Sequence, residues 1–165
     1  MITKDPIDHI HHVQPWKQLH LMPTLYYELL AMPGVEKGMW VEEMVEPIRE
    51  PKDVILYKCT IAQLGFAEGV EYAVACREVI KAGFALCPES LGPILRVDYK
   101  DQPKGEEMVI AMRGASCLTM NRVSEDPYWL YYVLQNKDGQ LWIGGNFNQV
   151  NHNSLGPETV IVFTI

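Results

Sequence analysis

The chain has 165 residues, of which 48% are apolar and 21% are charged, and its formal net charge is −7. That length and composition indicate one domain that buries a real core, and they exclude a wholly disordered chain. The acidic balance disfavours nucleic acid as a partner, because phosphate-binding surfaces need clustered Lys and Arg. No apolar run reaches the length of a membrane span, so we expect no membrane partner.

Cysteine usage bears on the compartment of the protein. The four cysteines form no Cys-x-x-Cys pair and no Cys–His spacing typical of zinc; they are Cys59, Cys76, Cys87 and Cys117. The first residues, MITKDPIDHIHH, lack the apolar core of a secretion signal. We therefore expect reduced thiols, a cytoplasmic protein and no cofactor.

The first part of the chain predicts an extension followed by a helix. Residues 1–18 are polar and histidine-rich, which predicts an N-terminal extension that the fold does not need. A single domain should follow over residues 19–165. Its first element is predicted as a helix over residues 20–32, because apolar residues recur with helical spacing before a Pro-Gly pair.

The next part predicts a short strand, a linker, a longer strand and a second helix. Residues 38–45 read as a strand or a helical turn, with the strand preferred, and residues 47–52 as a charged linker. The β-branched and apolar run at 53–61 predicts a strand. Residues 69–82 predict a helix, since apolar positions lie three and four apart and Gly83 suits the position just after the helix.

Residues 87–113 form the stretch around which we expect the domain to be organised. Apolar and charged residues alternate over 94–99, which predicts a strand with one solvent face. Asp-Gln-Pro-Lys-Gly at 101–105 predicts a turn. The apolar run at 107–113 then predicts a second strand that returns antiparallel to the first.

The C-terminal part predicts a second hairpin and a closing strand. Strands are predicted over 128–135 and 140–147, joined at an Asp-Gly pair, and a Gly-Gly pair in the latter indicates a bulge or a close neighbouring backbone. Residues 159–165 predict the closing strand. Helices early and strands late predict an α+β fold, with the helices packed on one face of a twisted, mainly antiparallel sheet.

The central stretch also carries a family likeness. Residues 60–113 contain the ordered motifs LGF-x-G, G-x-x-LCP-x-x-x-GP-x-LR-x-x-YKDQP-x-GE and IAM. With these motifs the chain resembles a widespread set of small bacterial proteins of uncharacterised function. The likeness covers about residues 53–165 and implies no activity and no site residues. The chain departs from that set at Glu107, where the resemblance implies an aromatic residue.

A candidate nucleophile is Cys87, which lies at a candidate helix start, where a thiol pKa can fall. With His152 or an N-terminal histidine it would form a Cys–His pair. The alternative interpretation is a buried structural cysteine, which is the more common state of an unpaired Cys.

The densest group of potential metal ligands lies near the start of the chain. Its members are Asp5, Asp8, His9, His11, His12 and His20. His9 and His11 would share a face of an extended chain, and with His12 they are candidates for a zinc, copper or nickel site. The alternative is a tail whose histidines bind metal only adventitiously.

Two groups of residues are candidates for binding a macromolecule. The charged group on the predicted central hairpin consists of Arg96, Asp98, Lys100 and Lys104. It reads either as a docking surface for a partner protein or as a solvated face whose ion pairs contribute under about 1 kcal/mol each. Trp129 and Trp142 read either as a stacking platform for a ligand or base, or as core residues.

Three classes of function follow from these patterns. We favour a non-catalytic protein-interaction module, because the sequence has no phosphate loop, nucleophile elbow or metal-ligand spacing. One alternative is a small enzyme that uses Cys87 or the histidines in a cleft between helix and sheet. The other is a nucleic-acid-associated protein that uses the aromatic hairpin.

Overall fold

The computed structural model of the chain describes residues 10, 12–22, 31, 34–38, 50–113, 130–147 and 154–165. Of these residues 43% are in strands and 16% in helices, so the fold is mostly β. The strands are β1 (Lys17–Leu21), β2 (Val35–Lys37), β3 (Lys52–Thr60), β4 (Val70–Glu71), β5 (Glu107–Ile110), β6 (Leu130–Lys137), β7 (Gln140–Phe147), β8 (Ser154–Leu155) and β9 (Val160–Thr164). The helices are α1 (Tyr72–Lys81) and α2 (Leu91–Asp98).

Seven strands form one curled sheet that resembles half a barrel. Their order across the sheet is β1-β3-β9-β5-β6-β7-β2. Neighbouring strands are antiparallel except for the β5–β9 and β2–β7 pairs, which are parallel. The short strands β4 and β8 form a separate two-stranded ladder. Strand β9, which is last in the chain, lies between β3 and β5 and so forms an interior strand of the sheet.

The predicted α+β fold, with helices on one face of the sheet, is wrong. In the described part of the chain there are two helices, and they contact opposite faces of β6. Tyr72 of α1 stacks on Tyr131, with ring centroids 3.7 Å apart. Gly92 of α2 lies against the ring of Tyr132, so close that a Cβ atom there would be 2.4 Å from a ring carbon. Since adjacent strand residues point to opposite faces, the sheet separates the helices.

The strand predicted over residues 53–61 is confirmed by β3, and the helix predicted over residues 69–82 is confirmed by α1. Helix α1 ends as its sequence indicates, because Gly83 has a φ of 90°, a left-handed conformation that glycine adopts without strain. The N–H of Gly83 donates to the carbonyl O of Ile80 at 3.0 Å, and that of Phe84 to Val79 at 3.2 Å. These two hydrogen bonds form a Schellman motif, which satisfies the last carbonyl groups of the helix.

The predicted second hairpin is confirmed by β6 and β7. Asp138 and Gly139 both have positive φ, at 54° and 94°, as a two-residue type I′ turn requires. Of the two interpretations of the Gly-Gly pair, a bulge or a close neighbouring backbone, the bulge is wrong, because the pairing of β6 with β7 runs in regular register past Gly144. A Cβ atom on Gly144 would lie 2.1 Å from the Trp142 ring, so this glycine leaves room for an aromatic side chain.

Residues 94–98 of the predicted strand belong to helix α2 and Tyr99 follows its end, so the first strand of the predicted central hairpin is wrong, whereas β5 confirms the second. The apolar residues Leu91, Ile94 and Leu95 have helical spacing, and all three are buried. Pro93 lies in the first turn of the helix, where its missing N–H removes no intrahelical hydrogen bond. The run therefore satisfies the helical period as well as the alternating one, and contact with the sheet selects the helix.

Where the helix over residues 20–32 was predicted, the described residues begin with strand β1, so the start of that helix is wrong. Leu19 and Leu21 are buried while His20 between them is exposed, which is the alternation of a strand paired to β3. Residues 23–30 and most of the predicted strand at 38–45 lie outside the described residues.

Part of the predicted N-terminal extension contributes to the core. Ile10 is fully buried, and Val13 and Trp16 pack against the buried cluster. The Trp16 N–H donates to the carbonyl O of Leu56 at 2.8 Å, so this segment leads directly into the pairing of β1 with β3. The boundary expected at residue 18 falls inside β1.

Candidate functional site

A cleft of about 540 Å³ runs along strand β1, and we call it the edge cleft. Its lining consists of Gln18, Leu19, His20, Ile94, Val97, Asp98 and Lys100. Consecutive residues of a strand point to opposite faces. A cleft that contacts three of them in a row therefore lies along the edge of the strand. Among the described residues β1 pairs with β3 alone, so this is the open edge of the large sheet.

The edge cleft combines an apolar floor with a charged rim. Leu19 and Ile94 are buried and Val97 is half-buried, which makes the floor apolar. On the rim, Asp98 is already neutralised by an ion pair with Lys17, at 2.6 Å between Nζ and Oδ2. The Lys100 side chain is exposed and makes no ion pair within 4.0 Å among the described residues.

A second cleft, of about 550 Å³, lies between residues 12–16 and β3, and we call it the Lys58 cleft. Its lining consists of His12, Val13, Gln14, Pro15, Trp16, Lys58, Cys59 and Gln63. Lys58 occupies a strand position whose neighbours on the same face, Val54 and Leu56, are buried. The sequence therefore places an ammonium group directly after two buried apolar residues of the same row.

Two aromatic rings hold the ammonium group of Lys58. Trp16 and Tyr99 meet edge to face, with centroids 4.9 Å apart and planes at 78°. The Lys58 Nζ atom lies 4.4 Å from the Trp16 ring centroid and 5.3 Å from that of Tyr99. Lys58 also donates to the Tyr99 hydroxyl at 3.3 Å. These cation–π contacts fix the charge at the wall of the cleft.

The hydroxyl group of Tyr99 continues the network to a carboxylate. It donates to Glu106 Oε2 at 3.1 Å, while Lys58 Nζ lies 3.7 Å from Glu106 Oε1. Burial, together with the nearby Glu106 carboxylate, raises the pKa of Tyr99. The hydroxyl group therefore keeps its proton at neutral pH and acts as a donor.

Arg96 is buried beneath this network instead of lying on a solvent face as predicted. Its guanidinium group donates to Gln102 Oε1 and to the carbonyl O of Tyr99. Gln102 in turn donates to the carbonyl O of Leu134 at 3.2 Å, which ties the turn to β6. Burial lowers the pKa of Arg96 to about 10, and nearby Tyr99 and Glu106 oppose that shift. Arg96 is thus a charged, buried residue that organises the end of α2.

The hydrogen bonds of Arg96 give a structural meaning to the motif LR-x-x-YKDQP-x-GE. Its Arg, Tyr, Gln and Glu are the four residues that the network joins; they are Arg96, Tyr99, Gln102 and Glu106. A chain that forms this network needs these four side chains at these positions. The motif therefore has a structural explanation that does not depend on a ligand.

The other candidate binding residues are placed differently from one another. Asp98 and Lys100 line the edge cleft. Lys104 is exposed in the turn after α2 and lines neither cleft. Trp142 is half-buried over Gly144, with Lys137 Nζ at 4.1 Å from its ring centroid. Trp129 lies outside the described residues.

The structure argues against Cys87 as a nucleophile. The side chain is buried, and its Sγ atom donates to the carbonyl O of Val162 at 3.6 Å. Burial, with a smaller contribution from Cys76, raises its pKa, so the thiol is un-ionised at neutral pH. Cys59 and Cys76 are also buried thiols, and Cys117 and His152 lie outside the described residues.

Of the candidate metal ligands, His12 is exposed at the Lys58 cleft, whereas His9 and His11 lie outside the described residues. Within the described ranges no three His, Cys, Asp or Glu side chains come close enough to hold a metal ion. His20 makes a separate contact, with its Nδ1 atom 2.6 Å from Asp53 Oδ1.

Sequence reasoning missed Leu19, Trp16 and Lys58 as cleft residues, because it placed Trp16 in an extension outside the fold, started a helix next to Leu19, and left Lys58 unremarked within a predicted strand. The available signal was Lys58, a charge on the inward face of a predicted strand. No family model, no curated protein and no solved structure matches the chain. None of the helices in the described ranges has the length and apolar character needed to cross a bilayer.

Proposed function

We propose that the protein is a non-catalytic interaction module that binds an extended peptide segment of a partner protein along the open edge of β1. The observation that carries this proposal is the contact of the edge cleft with three consecutive residues of β1, Gln18 to His20. An edge strand directs the N–H and C=O groups of alternate residues away from its neighbour. A peptide that adds as a further strand satisfies those groups, which is a common mode of peptide recognition.

The lining of the edge cleft defines the chemistry of the peptide. An apolar side chain of the peptide packs on Leu19 and Val97, because these residues form the apolar floor. An acidic side chain pairs with Lys100, whose charge no described carboxylate neutralises. Asp98 faces Lys17 and adds little net charge to the rim.

Two observations favour this class over the alternatives. An enzyme that uses a thiolate needs a cysteine with a low pKa, whereas burial raises the pKa of Cys59 to about 12 and also raises that of Cys87. A nucleic-acid surface on the second hairpin needs accessible aromatic rings, whereas Tyr131 and Tyr132 are fully buried.

The first test is selection of binders from a library of random linear peptides on the folded protein. We expect selected peptides to combine an apolar residue with an acidic one, and to slow hydrogen exchange of the amides of residues 17–21. Lys100→Glu should weaken these peptides several-fold. Lys104→Glu is the matched control, since it makes the same charge change on an exposed residue outside the cleft.

The peptide itself supplies a second test. Two versions of a selected peptide are methylated on N–H groups, one at the odd-numbered and one at the even-numbered positions. One version should lose binding and the other should bind nearly as well as the parent peptide, because only every second amide faces β1. Equal tolerance of both methylated peptides, or protection of amides away from β1, would contradict binding at this edge. An equal loss of peptide affinity in Lys100→Glu and Lys104→Glu would show that the effect comes from net charge and not from a contact in the cleft.

A further inference from the structure

We propose that the Lys58 cleft is a separate binding site for a carboxylate attached to an apolar body. The site differs from the edge cleft in its lining residues, none of which the two clefts have in common. The proposal for the Lys58 cleft can therefore be tested independently of peptide binding at β1.

The ammonium group of Lys58 has unused donor capacity directed at this cleft. It carries three N–H donors, and one of them goes to the Tyr99 hydroxyl at 3.3 Å. Among the described residues the nearest carboxylate is that of Glu106, 3.7 Å away, which is beyond a good hydrogen bond. The side chain of Lys58 is 28% exposed and lines the cleft. A carboxylate oxygen in the cleft would accept the remaining hydrogen bonds.

Charges of both signs surround Lys58. Among the described residues three cations, Lys17, Lys58 and Arg96, lie close to three carboxylates, Asp98, Asp101 and Glu106. Lys17 pairs with Asp98 at 2.6 Å, whereas the contact between Lys58 and Glu106 is longer, at 3.7 Å, so Lys58 is the less tightly paired of the two lysines. Arg96 remains charged at neutral pH because its pKa, although lowered by burial, is about 10.

A cationic ligand fits the same site poorly. Two aromatic rings at a steep angle often hold an ammonium ligand, but here Trp16 and Tyr99 already hold the protein's own Lys58. The ammonium of Lys17 also lies 5.6 Å from the Trp16 ring centroid. A second cation would meet repulsion from both lysines, whereas a carboxylate meets attraction.

The remaining lining defines the body of the ligand. Val13, Pro15 and the Trp16 ring give an apolar wall, and Gln63 and His12 add polar groups. The volume of about 550 Å³ is within the usual range of small-molecule sites. Benzoate and N-acetylphenylalanine have this combination of one carboxylate and one apolar group.

The test is titration of the full chain with benzoate and with N-acetylphenylalanine, followed by heteronuclear NMR. The Trp16 indole signal is assigned with Trp16→Phe. We expect saturable shifts of Trp16 and Lys58, and affinity weaker by about tenfold or more in Lys58→Gln. Lys52→Gln is the matched control, because Lys52 is an exposed residue of the same strand and carries the same charge.

A second variant tests the site in case Lys58→Gln is destabilised. Glu106→Gln removes the carboxylate that competes for Lys58 while its amide O can still accept from Tyr99, so benzoate should bind more tightly. A residue with a structural role alone would give weaker binding. Unsaturable shifts, equal loss in Lys52→Gln, or no tightening in Glu106→Gln would overturn the site.

Three further probes distinguish a small-molecule carboxylate from the carboxylate of a polypeptide. These are a short peptide with a free C-terminus, the same peptide amidated, and the amidated peptide with an internal Asp. Benzoate binding with rejection of all three peptides identifies a small-molecule site, and binding of either acidic peptide identifies a polypeptide carboxylate. Equal binding of the neutral amidated peptide would overturn the requirement for a carboxylate.

Discussion

Tyr72 of helix α1 stacks on Tyr131 of strand β6, with ring centroids 3.7 Å apart and planes at 8°, while its hydroxyl group bonds to strand β5. The hydroxyl donates to the carbonyl O of Ile110 at 2.6 Å and accepts from the N–H of Met112 at 2.9 Å. One buried side chain thus joins α1 to two strands of the sheet.

Tyr72→Phe should lower the free energy of unfolding by about 1–3 kcal/mol, because the polar groups of Ile110 and Met112 stay buried without that partner. The stacking on Tyr131 should survive. Chemical denaturation of both proteins measures the difference, and Tyr72→Leu, which also removes the ring, should cost more. An unchanged midpoint in Tyr72→Phe would show that the hydroxyl is replaced by water.

Arg96→Gln should destabilise the protein by about 2–4 kcal/mol, since it leaves the carbonyl O of Tyr99 and the Gln102 side chain short of a donor in a buried site. Lys100→Gln, an exposed change of the same charge just beyond the end of α2, should stay within about 0.5 kcal/mol. Denaturant midpoints measure both. Similar values for the two variants would mean that Arg96 is solvated in solution.

A chain that begins at Leu19 should lose about 3 kcal/mol or more of stability, because it lacks the buried Ile10 and the packed Trp16. The measurement is thermal unfolding of the shortened and full chains. Trp16→Ala in the full chain is the control and should lose less, since Ile10 remains. Melting within a few degrees of the full chain would restore the expectation of a dispensable extension.

Gly92→Ala should cost about 1–3 kcal/mol, because its Cβ atom would lie 2.4 Å from ring carbons of Tyr132. Tyr132→Leu in the same chain removes the ring and should recover part of that loss. A double-mutant cycle measures the coupling between the two positions. Independent, additive losses would show that α2 does not approach β6 this closely.

Stability should fall as the pH rises above 9, because burial raises the pKa of the Cys59 thiol from 9.0 to about 12. Below that window both folded and unfolded chains hold the proton. Between about 9 and 12 the unfolded chain alone loses it, so the free energy of unfolding decreases with pH, by up to about 1.4 kcal/mol per pH unit for this group.

Cys59→Ala should therefore make the alkaline decline shallower, although it lowers stability at neutral pH. Val54→Ala is the control, because it removes buried atoms from the same strand and no ionisable group. Urea unfolding at a series of pH values measures both slopes. Parallel slopes in the wild type and Cys59→Ala would contradict a raised thiol pKa.

Local chemistry made several elements predictable. The Asp138-Gly139 turn requires two residues that tolerate positive φ, and the sequence supplies both. Helix α1 was predictable because its apolar spacing and Gly83 agree. Strand β3 was predictable because its run of β-branched and apolar residues is typical of strands.

The candidate clefts were only partly predictable, because they depend on residues far apart in the chain. Asp98 and Lys100 were identified from charge, and they line the edge cleft. The other wall of that cleft is β1, which spans the boundary between the predicted extension and the predicted first helix. Lys58 meets Trp16 and Tyr99 only after β1 pairs with β3 and α2 packs against the sheet.

By itself the sequence determined the features whose causes lie within a few residues: the β6–β7 hairpin, the end of α1 and the acidic charge of the chain. Only the tertiary structure decided that residues 91–98 form a helix, that residues 17–21 form an edge strand, and that Arg96 is buried. The physical reason is that residues 91–98 satisfy both the helical and the alternating apolar period, and that residues 17–21 hold only two apolar residues, too few to define either period. Packing against distant strands chooses between the two.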